Sequence, residues 1–127
     1  IYLGGYTPQP RDRFGRTQSA IAKTSLGACE NVSWEAVPTS AAVATLQALQ
    51  HERFAIVVLE QTSKSVPLCS VALPERVVYV VGNEVEGVAP ALIALADVVV
   101  HIPMYGSKES LNVATATGIM LYAPLLQ

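Results

Sequence analysis

The sequence has little charge and few aromatic residues, and these shortages exclude whole classes of protein. Of its 127 residues, 14% are charged and 6% aromatic, whereas 51% are hydrophobic. Intrinsic disorder requires low hydrophobicity and high charge, so this composition excludes a disordered chain. A chain of this length predicts a single core, and we expect one domain spanning residues 1–127.

Long apolar runs and cysteines are scarce too. Apolar stretches such as Val77–Val81 fall far short of the roughly 20 residues that a membrane-spanning helix needs. Two cysteines, Cys29 and Cys69, are too few for a disulfide scaffold and have no zinc-ligand spacing. We therefore expect a soluble, cytoplasmic protein without a metal site, in which both thiols are buried and reduced.

Charge is unevenly placed along the chain. The formal net charge of -2 argues against a protein that binds nucleic acid over its whole surface. Four basic residues nevertheless fall in one segment whose only acid is Asp12, and they are Arg11, Arg13, Arg16 and Lys23. By itself such a cluster is more often a solvated loop than a phosphate-binding surface. His51 and His101 lack a nucleophile or metal partner in sequence, which favours a structural or surface role for each.

Short β-branched runs alternate with Ala-rich segments of helical length, which predicts an α/β fold with a mostly parallel sheet and helices on both faces. Three of the predicted strands lack polar alternation and should be central in the sheet. The five predicted strands are Ile1–Leu3, Val32–Ala36, Ala55–Leu59, Val77–Val81 and Val98–Ile102.

Three helices are predicted between and after these strands. Thr39 or Ser40 is expected to cap a helix that runs to about Gln50. Pro90 suits the first turn of a short helix that ends near Ala96. The last helix should begin around Leu111 and end before Pro124, because proline cannot continue it.

The segments that follow three of the strands carry the polar chemistry. Ligands of open parallel sheets gather beyond the carboxyl ends of the strands, so the turns after residues 59, 81 and 102 should form one crevice. The segment 82–88 places two glycines around two acids, Glu84 and Glu86, and it is not G-x-G-x-x-G. These carboxylates would repel a pyrophosphate, so a dinucleotide is disfavoured. An apolar wall suited to a purine ring is predicted from Leu59, Ile102, Met104 and Leu111.

Taken singly, these residues also have simple structural interpretations. Acids that precede a helix commonly stabilise its dipole, which on spacing alone is the favoured role of Glu84 and Glu86. Ser110 could similarly be a helix N-cap, with Leu111 and Asn112 in the first turn.

Two long segments taken together shift those interpretations. Residues 80–88, VVGNEVEGV, and residues 102–114, IPMYGSKESLNVA, closely resemble the second and third motifs of the SpoU (TrmH-like) RNA ribose methyltransferases of the SPOUT superfamily. They occur in the right order, and each follows an apolar strand and precedes a helix. The opening residues 1–8 are similar to the second strand and following loop of that family, so the resemblance covers nearly the whole chain.

The resemblance implies a fold, a cofactor and an assembly. The fold is an α/β domain whose C-terminal segment threads a loop to form a deep trefoil knot, a rare exception to unknotted topology. The knot forms the pocket for S-adenosylmethionine, which the family's pattern assigns here to Leu59, Gly82, Ile102, Met104 and Leu111. Family members act as homodimers without a metal, and their RNA site is built across the interface.

The resemblance also implies an activity, methyl transfer to a ribose 2′-hydroxyl of tRNA or rRNA. It assigns Glu84 to the polar network of the active site, and Ser110 and Asn112 to orienting the catalytic groups and the ribose. Glu86 stays undecided between dipole stabilisation and function. The basic cluster matches a loop that faces RNA in the family, so Arg11, Arg13, Arg16 and Lys23 become candidates for phosphate contacts.

The match departs from the family at its first motif. The family's Asn-x-Gly and following Arg would precede Ile1, so we expect an N-terminally incomplete methyltransferase domain with half of the catalytic constellation. The main alternative is a noncatalytic SPOUT-fold module that binds cofactor or RNA. A base-directed methyltransferase is disfavoured by the Ser-Leu-Asn segment, and a generic nucleotide-binding α/β domain would bind ATP or NAD instead.

Overall fold

The computed structural model describes residues 1–83, 85–107 and 110–126, and the chain forms two compact units, residues 1–45 and 46–127. The prediction of a single domain over residues 1–127 stays a prediction. None of the helices in the described part of the chain is long and apolar enough to cross a membrane.

The first unit is built on two short parallel strands. Strand β1 (Tyr2–Gly4) pairs with β2 (Glu35–Val37), and Val37 is the buried side chain of this pair. Two short helices lie between them, α1 (Ser19–Ser25) and α2 (Ala28–Asn31). The basic segment is therefore not all loop, because Lys23 lies in the last turn of α1.

Helix α3 (Ala42–His51) crosses the division between the units and follows a 3₁₀ turn, Thr39–Ala41. The prediction that Thr39 or Ser40 caps it is wrong. Pro38 precedes the 3₁₀ turn, and no side chain caps that end. The turn supplies the first hydrogen bonds instead, and the Ala41 amide donates to the Pro38 carbonyl over 2.8 Å.

The second unit contains a four-stranded sheet in the order β4-β6-β3-β5, with every neighbouring pair parallel. Its strands are β3 (Ala55–Leu59), β4 (Val66–Pro67), β5 (Val77–Val81) and β6 (Val98–His101). Its remaining helices are α4 (Pro90–Ile93), with proline in the first turn, and α5 (Val113–Tyr122). Two 3₁₀ turns complete it, Leu68–Ser70 and Ala123–Leu126.

Alternating side chains of the strands form two separate apolar clusters, one on each face of this sheet. One cluster joins Ile56 and Val58 of β3 to Leu46 of α3, with α4 side chains packed against it. The other joins Val57 and Val100 to Met120 of α5. Met120 is fully buried, which fixes α5 on the sheet. The predicted parallel sheet with helices on both faces is confirmed for this unit.

Further details of the sequence analysis need correction, and one is that α4 ends at Ile93 rather than near Ala96. The second strand spans Glu35–Val37 rather than Val32–Ala36, because Val32 follows α2 directly as its C-cap. Strand β5 lies at an edge of the four-stranded sheet rather than in its centre, and its residue Val81 is 37% exposed. The thiols are not both buried, since Cys69 is exposed and Cys29 half-buried.

Candidate functional site

The carboxyl ends of β3, β5 and β6 open into one cavity of about 460 Å³ in the second unit. This volume lies in the range of pockets that hold small molecules. The turns after residues 59, 81 and 102 therefore do line a single cleft, as the sequence predicted. Its walls are Leu59, Glu60, Gln61, Val81, Gly82, Asn83, Val85, Glu86, Gly87, Val88, Ile93, His101, Ile102, Met104, Ser110, Leu111, Val113 and Ala116.

The turn after β5 is closed by its own hydrogen bonds. The Asn83 side-chain oxygen accepts from the amides of Val85 and Glu86 over 2.9 and 2.8 Å. The Gly87 amide donates to the Asn83 carbonyl over 3.0 Å. Asn83 is thus a turn-forming residue that the sequence analysis did not single out, although asparagine between two turn glycines is a recognisable signal.

Both glycines of this turn lie close to other atoms, backbone at Gly82 and a carboxylate at Gly87. A Cβ at Gly82 would overlap the backbone of Gly87 and Val88. Gly87 has a φ of +66°, and a Cβ there would collide with the Glu60 carboxylate. Only glycine accommodates both conditions at Gly87.

Glu60 links the end of β3 to this turn. Its Oε2 accepts a 2.8 Å hydrogen bond from the Val88 amide, and its Oε1 accepts a 2.9 Å bond from the Gln61 amide. Hydrogen bonds to a carboxylate are stronger than those between neutral groups. Glu60 thereby holds two walls of the cavity together, a role that sequence reasoning missed because the two partners are distant along the chain.

The C-terminal wall is formed by the start of α5. The Asn112 side-chain oxygen accepts from the Ala114 amide over 3.0 Å, so Asn112, and not Ser110, is the N-cap of the helix. The helix therefore begins at Val113, later than predicted. Ser110, Leu111 and Val113 line the cavity on either side of this cap.

His101 connects the end of β6 to the loop after β3. Its Nδ1 lies 2.9 Å from the Ser65 hydroxyl, which can donate to the Thr62 carbonyl over 2.9 Å. The tautomer of His101 determines which of these two atoms donates. His101 is half-buried and lines the cavity, and its hydrogen bond joins two walls, in keeping with the structural role favoured from sequence.

The predicted site residues fall into three groups. All five candidates for cofactor contact, Leu59, Gly82, Ile102, Met104 and Leu111, line the cavity, as does the catalytic candidate Ser110. Asn112 is the helix cap next to it. Glu84 lies outside the described residues.

No group of three potential metal-ligating side chains is present in the ranges 1–83, 85–107 and 110–126.

The chemical character of the cavity fits S-adenosylmethionine. Leu59, Ile102 and Leu111 offer apolar surface to an adenine ring, and backbone at Gly82 can approach a ligand without an intervening side chain. The carboxylates of Glu60 and Glu86 bring negative charge, which complements a sulfonium and repels a polyphosphate.

The basic cluster of the first unit is partly neutralised. Arg11 forms an ion pair with Glu30 over 2.8 Å, and Arg16 forms one with Asp12 over 2.8 Å. The guanidinium groups of Arg13 and Arg16 lie 4.8 and 5.1 Å from the centre of the Phe14 ring. Sequence reasoning identified these cations, but it missed Phe14 and the pairing with Glu30.

Asp12 organises this loop through its carboxylate. Desolvation acts to raise the pKa of Asp12, but hydrogen bonds from the Arg16 amide, the Arg16 guanidinium and the Phe14 amide together outweigh it. The pKa of Asp12 therefore lies below its usual value, and the carboxylate is ionised at neutral pH.

The chain belongs to the SpoU rRNA methylase family, whose pattern matches residues 7–122. Among curated relatives, the tRNA (guanosine(18)-2′-O)-methyltransferase of Aquifex aeolicus is 42% identical over 80 residues, which cover 63% of this chain and 38% of that protein. The 23S rRNA (guanosine-2′-O-)-methyltransferase RlmB of Salmonella typhi is 34% identical over 118 residues, which cover 93% of this chain and 47% of that protein. The chain thus spans less than half the length of these two relatives.

Solved structures show the same fold. The A. aeolicus TrmH/SpoU tRNA modifying enzyme superposes with a TM-score of 0.77 at 34% identity, over 100% of this chain and 61% of that chain. The AdoMet-bound rRNA methyltransferase from Sinorhizobium meliloti superposes with a TM-score of 0.78 at 25% identity, over 98% of this chain and 44% of that chain. The likeness to S-adenosylmethionine-binding RNA methyltransferases therefore extends over both units of the chain.

Proposed function

We propose that this chain is part of an S-adenosylmethionine-dependent RNA methyltransferase that modifies a ribose 2′-hydroxyl of tRNA or rRNA. The observation that carries the proposal is the single cavity at the ends of β3, β5 and β6, which gathers both family motifs around acidic and apolar walls. Family membership and relatives named for 2′-O-methylation support the same reaction.

The cofactor would lie against Leu59, Gly82, Ile102, Met104 and Leu111. When bound, S-adenosylmethionine supplies an electrophilic methyl group on a cationic sulfur. The apolar residues exclude water from this region, and Glu60 and Glu86 stabilise positive charge in it. The hydrogen bonds of Asn83 to Val85 and Glu86, and of Glu60 to Val88, organise this wall of the pocket before a ligand enters.

Ser110 and Asn112 would position the ribose. Ser110 lies in the cavity wall, and the Asn112 cap uses only the side-chain oxygen, which leaves its NH₂ group outside the cap. A hydroxyl and an amide at this point can hold the 2′-oxygen in line for attack, and Glu84 would complete the polar network.

The RNA would contact the first unit through Arg11, Arg13, Arg16 and Lys23. Among the three arginines, Arg13 carries the strongest case, because Arg11 and Arg16 are each paired with a carboxylate. Phosphate contacts by guanidinium groups orient RNA without reading its sequence.

The proposal extends to topology, assembly and location. A trefoil knot formed by the C-terminal segment is supported by the position of β6 between β3 and β4 and by the burial of Met120.

A homodimer is supported by exposed apolar residues of α5 and the following turn, Ile119, Leu121 and Leu125. A cytoplasmic location is supported by the two free cysteines. Sedimentation equilibrium tests the dimer, with a monomeric mass as the contrary result.

Titration calorimetry followed by a transfer assay tests the function. We expect S-adenosylmethionine and S-adenosylhomocysteine to bind and ATP not to bind. Methyl transfer to tRNA or rRNA transcripts should yield 2′-O-methyl nucleosides by mass spectrometry. Gly82→Ala should lower cofactor affinity by at least about tenfold, because its Cβ overlaps the opposite backbone. Gly118→Ala in α5 is the matched control, since a Cβ there meets nothing within 4 Å.

Each contrary outcome points to one alternative. Preference for ATP would indicate a generic nucleotide-binding domain, and methylated bases would indicate base-directed transfer. Cofactor binding with no transfer to any RNA would indicate a noncatalytic module.

A further inference from the structure

The loop of residues 11–17 is held in one conformation from within. An antiparallel bridge joins Arg11 to Thr17, and the amides of Asp12 and Gly15 donate to the carbonyls of Arg16 and Asp12 over 2.9 Å each. The Asp12 carboxylate accepts from the Phe14 amide over 2.8 Å and from the Arg16 amide over 3.0 Å. These bonds determine where the side chain at the tip of the loop points.

That side chain is Phe14, which is 66% exposed. An exposed phenylalanine lacks the stabilisation that burial would provide. A fixed loop that presents one to solvent therefore suggests that the ring has a binding role. The Arg13 and Arg16 guanidiniums approach its ring to 4.8 and 5.1 Å, within the range of cation–π contacts. The tip of the loop therefore carries an aromatic surface flanked by positive charge.

The surroundings of Phe14 suit a polyanion. Three guanidiniums, of Arg11, Arg13 and Arg16, face two carboxylates, of Asp12 and Glu30, so one positive charge is uncompensated. Within the part of the chain that the structure describes, Arg13 has no carboxylate partner. Tyr6 is fully exposed and lines the same shallow depression as Phe14, which adds a second aromatic side chain.

We infer that Phe14 is a stacking platform for one unpaired base of the RNA substrate, with Arg13 contacting an adjacent phosphate. The inference rests on the proposed RNA methyltransferase function and narrows its substrate to RNA with an unpaired segment. A phenyl ring needs the open face of a base, which a duplex buries in its own stack and a loop or single strand offers. Uncompensated positive charge beside the ring favours RNA over an apolar protein partner.

Equilibrium binding of the protein to two RNA probes tests this inference. One probe is a hairpin with an unpaired loop, and the other is a fully paired duplex of equal length. Phe14→Ala should weaken hairpin binding by about tenfold or more, because stacking on an aromatic ring is lost, and leave duplex binding unchanged. Phe14→Leu keeps apolar bulk but has no aromatic ring, so its affinity for the hairpin should fall as far as that of Phe14→Ala. Phe14→Trp keeps an aromatic ring and should bind the hairpin with parental affinity.

Arg13→Glu separates stacking from charge. This substitution should lower the affinity for both probes and reduce the salt dependence of binding. Phe14→Ala should leave the salt dependence unchanged. Arg53→Glu, an exposed arginine of the second unit, is the matched control for charge. Fluorescence of the indole introduced by Phe14→Trp should be quenched by the hairpin and not by the duplex.

The results distinguish the stacking role from the function on which it rests. If the parent protein binds the hairpin and Phe14→Ala binds it equally well, the stacking role is overturned and the RNA methyltransferase proposal stands. Equal weakening of hairpin and duplex also overturns stacking. If the parent protein binds neither RNA, both proposals fail together.

Discussion

Glu60 shows at the scale of one residue how the cavity is held. Its carboxylate accepts from the amide of Val88, 28 positions later in the chain, and occupies the space that a side chain at Gly87 would need. The Glu60 carboxylate in this position therefore leaves no room for a side chain at Gly87. Nothing about Glu60 in the linear sequence distinguishes it from any acid after a strand.

Glu60→Gln is expected to weaken cofactor binding by about tenfold, because a carboxamide offers one acceptor oxygen where two amides now donate. The affinity for S-adenosylhomocysteine measured by calorimetry gives the result. Glu52→Gln, an exposed acid outside the cavity, should bind with parental affinity. Parental affinity in Glu60→Gln itself would show that the turn 82–88 keeps its conformation without the bridge.

At the scale of one element, α5 is fixed near both of its ends. Its cap, Asn112, satisfies the Ala114 amide, and its buried residue Met120 fixes the helix on the sheet. The helix thereby carries Ser110, Leu111 and Val113 to the cavity wall. Stability and positioning of the ribose would share a single asparagine, and different atoms of its side chain would serve each role.

Substitutions at Asn112 should separate these roles. Asn112→Ala removes the cap and should lower the free energy of unfolding by about 1 kcal/mol, whereas Asn112→Asp keeps a capping oxygen and should lower it by much less. Thermal unfolding measures both. Methyl transfer should fall in both variants, because each lacks the amide NH₂ group.

A different pattern would contradict the assignment. Full transfer activity in Asn112→Asp would mean that Asn112 acts only as a helix cap.

At the scale of the whole molecule, the proposed cofactor cavity and the loop that presents Phe14 lie in different compact units. The cavity is lined entirely by residues of 46–127, and the loop that presents Phe14 lies within 1–45. Each ligand should therefore slow amide exchange mainly in the unit that binds it.

Hydrogen exchange measured by mass spectrometry should show this division. Saturation with S-adenosylhomocysteine should slow amide exchange in residues 59–61, 81–88 and 101–113, since ligand binding suppresses local opening there. Exchange in residues 11–17 should not change with this ligand and should slow when the hairpin RNA is added. Protection of residues 11–17 by the cofactor alone would show that the two units are energetically coupled.

The sequence by itself determined the local features of this protein. The valine runs of β3, β5 and β6, the glycine turn 82–88 and the segment 102–114 are contiguous patterns, and they sufficed for the parallel sheet, the family and most of the cavity wall. Local conformational preference and apolar periodicity act over a few residues, so they can be read directly.

Only the tertiary structure decided what depends on contacts between distant positions. It paired Glu60 with Val88 and Arg11 with Glu30, placed β5 at an edge of its sheet, and left Phe14 exposed with two guanidiniums near its ring. These features follow from strand order and loop packing. Both are set by the summed burial of the whole chain, which no short segment encodes.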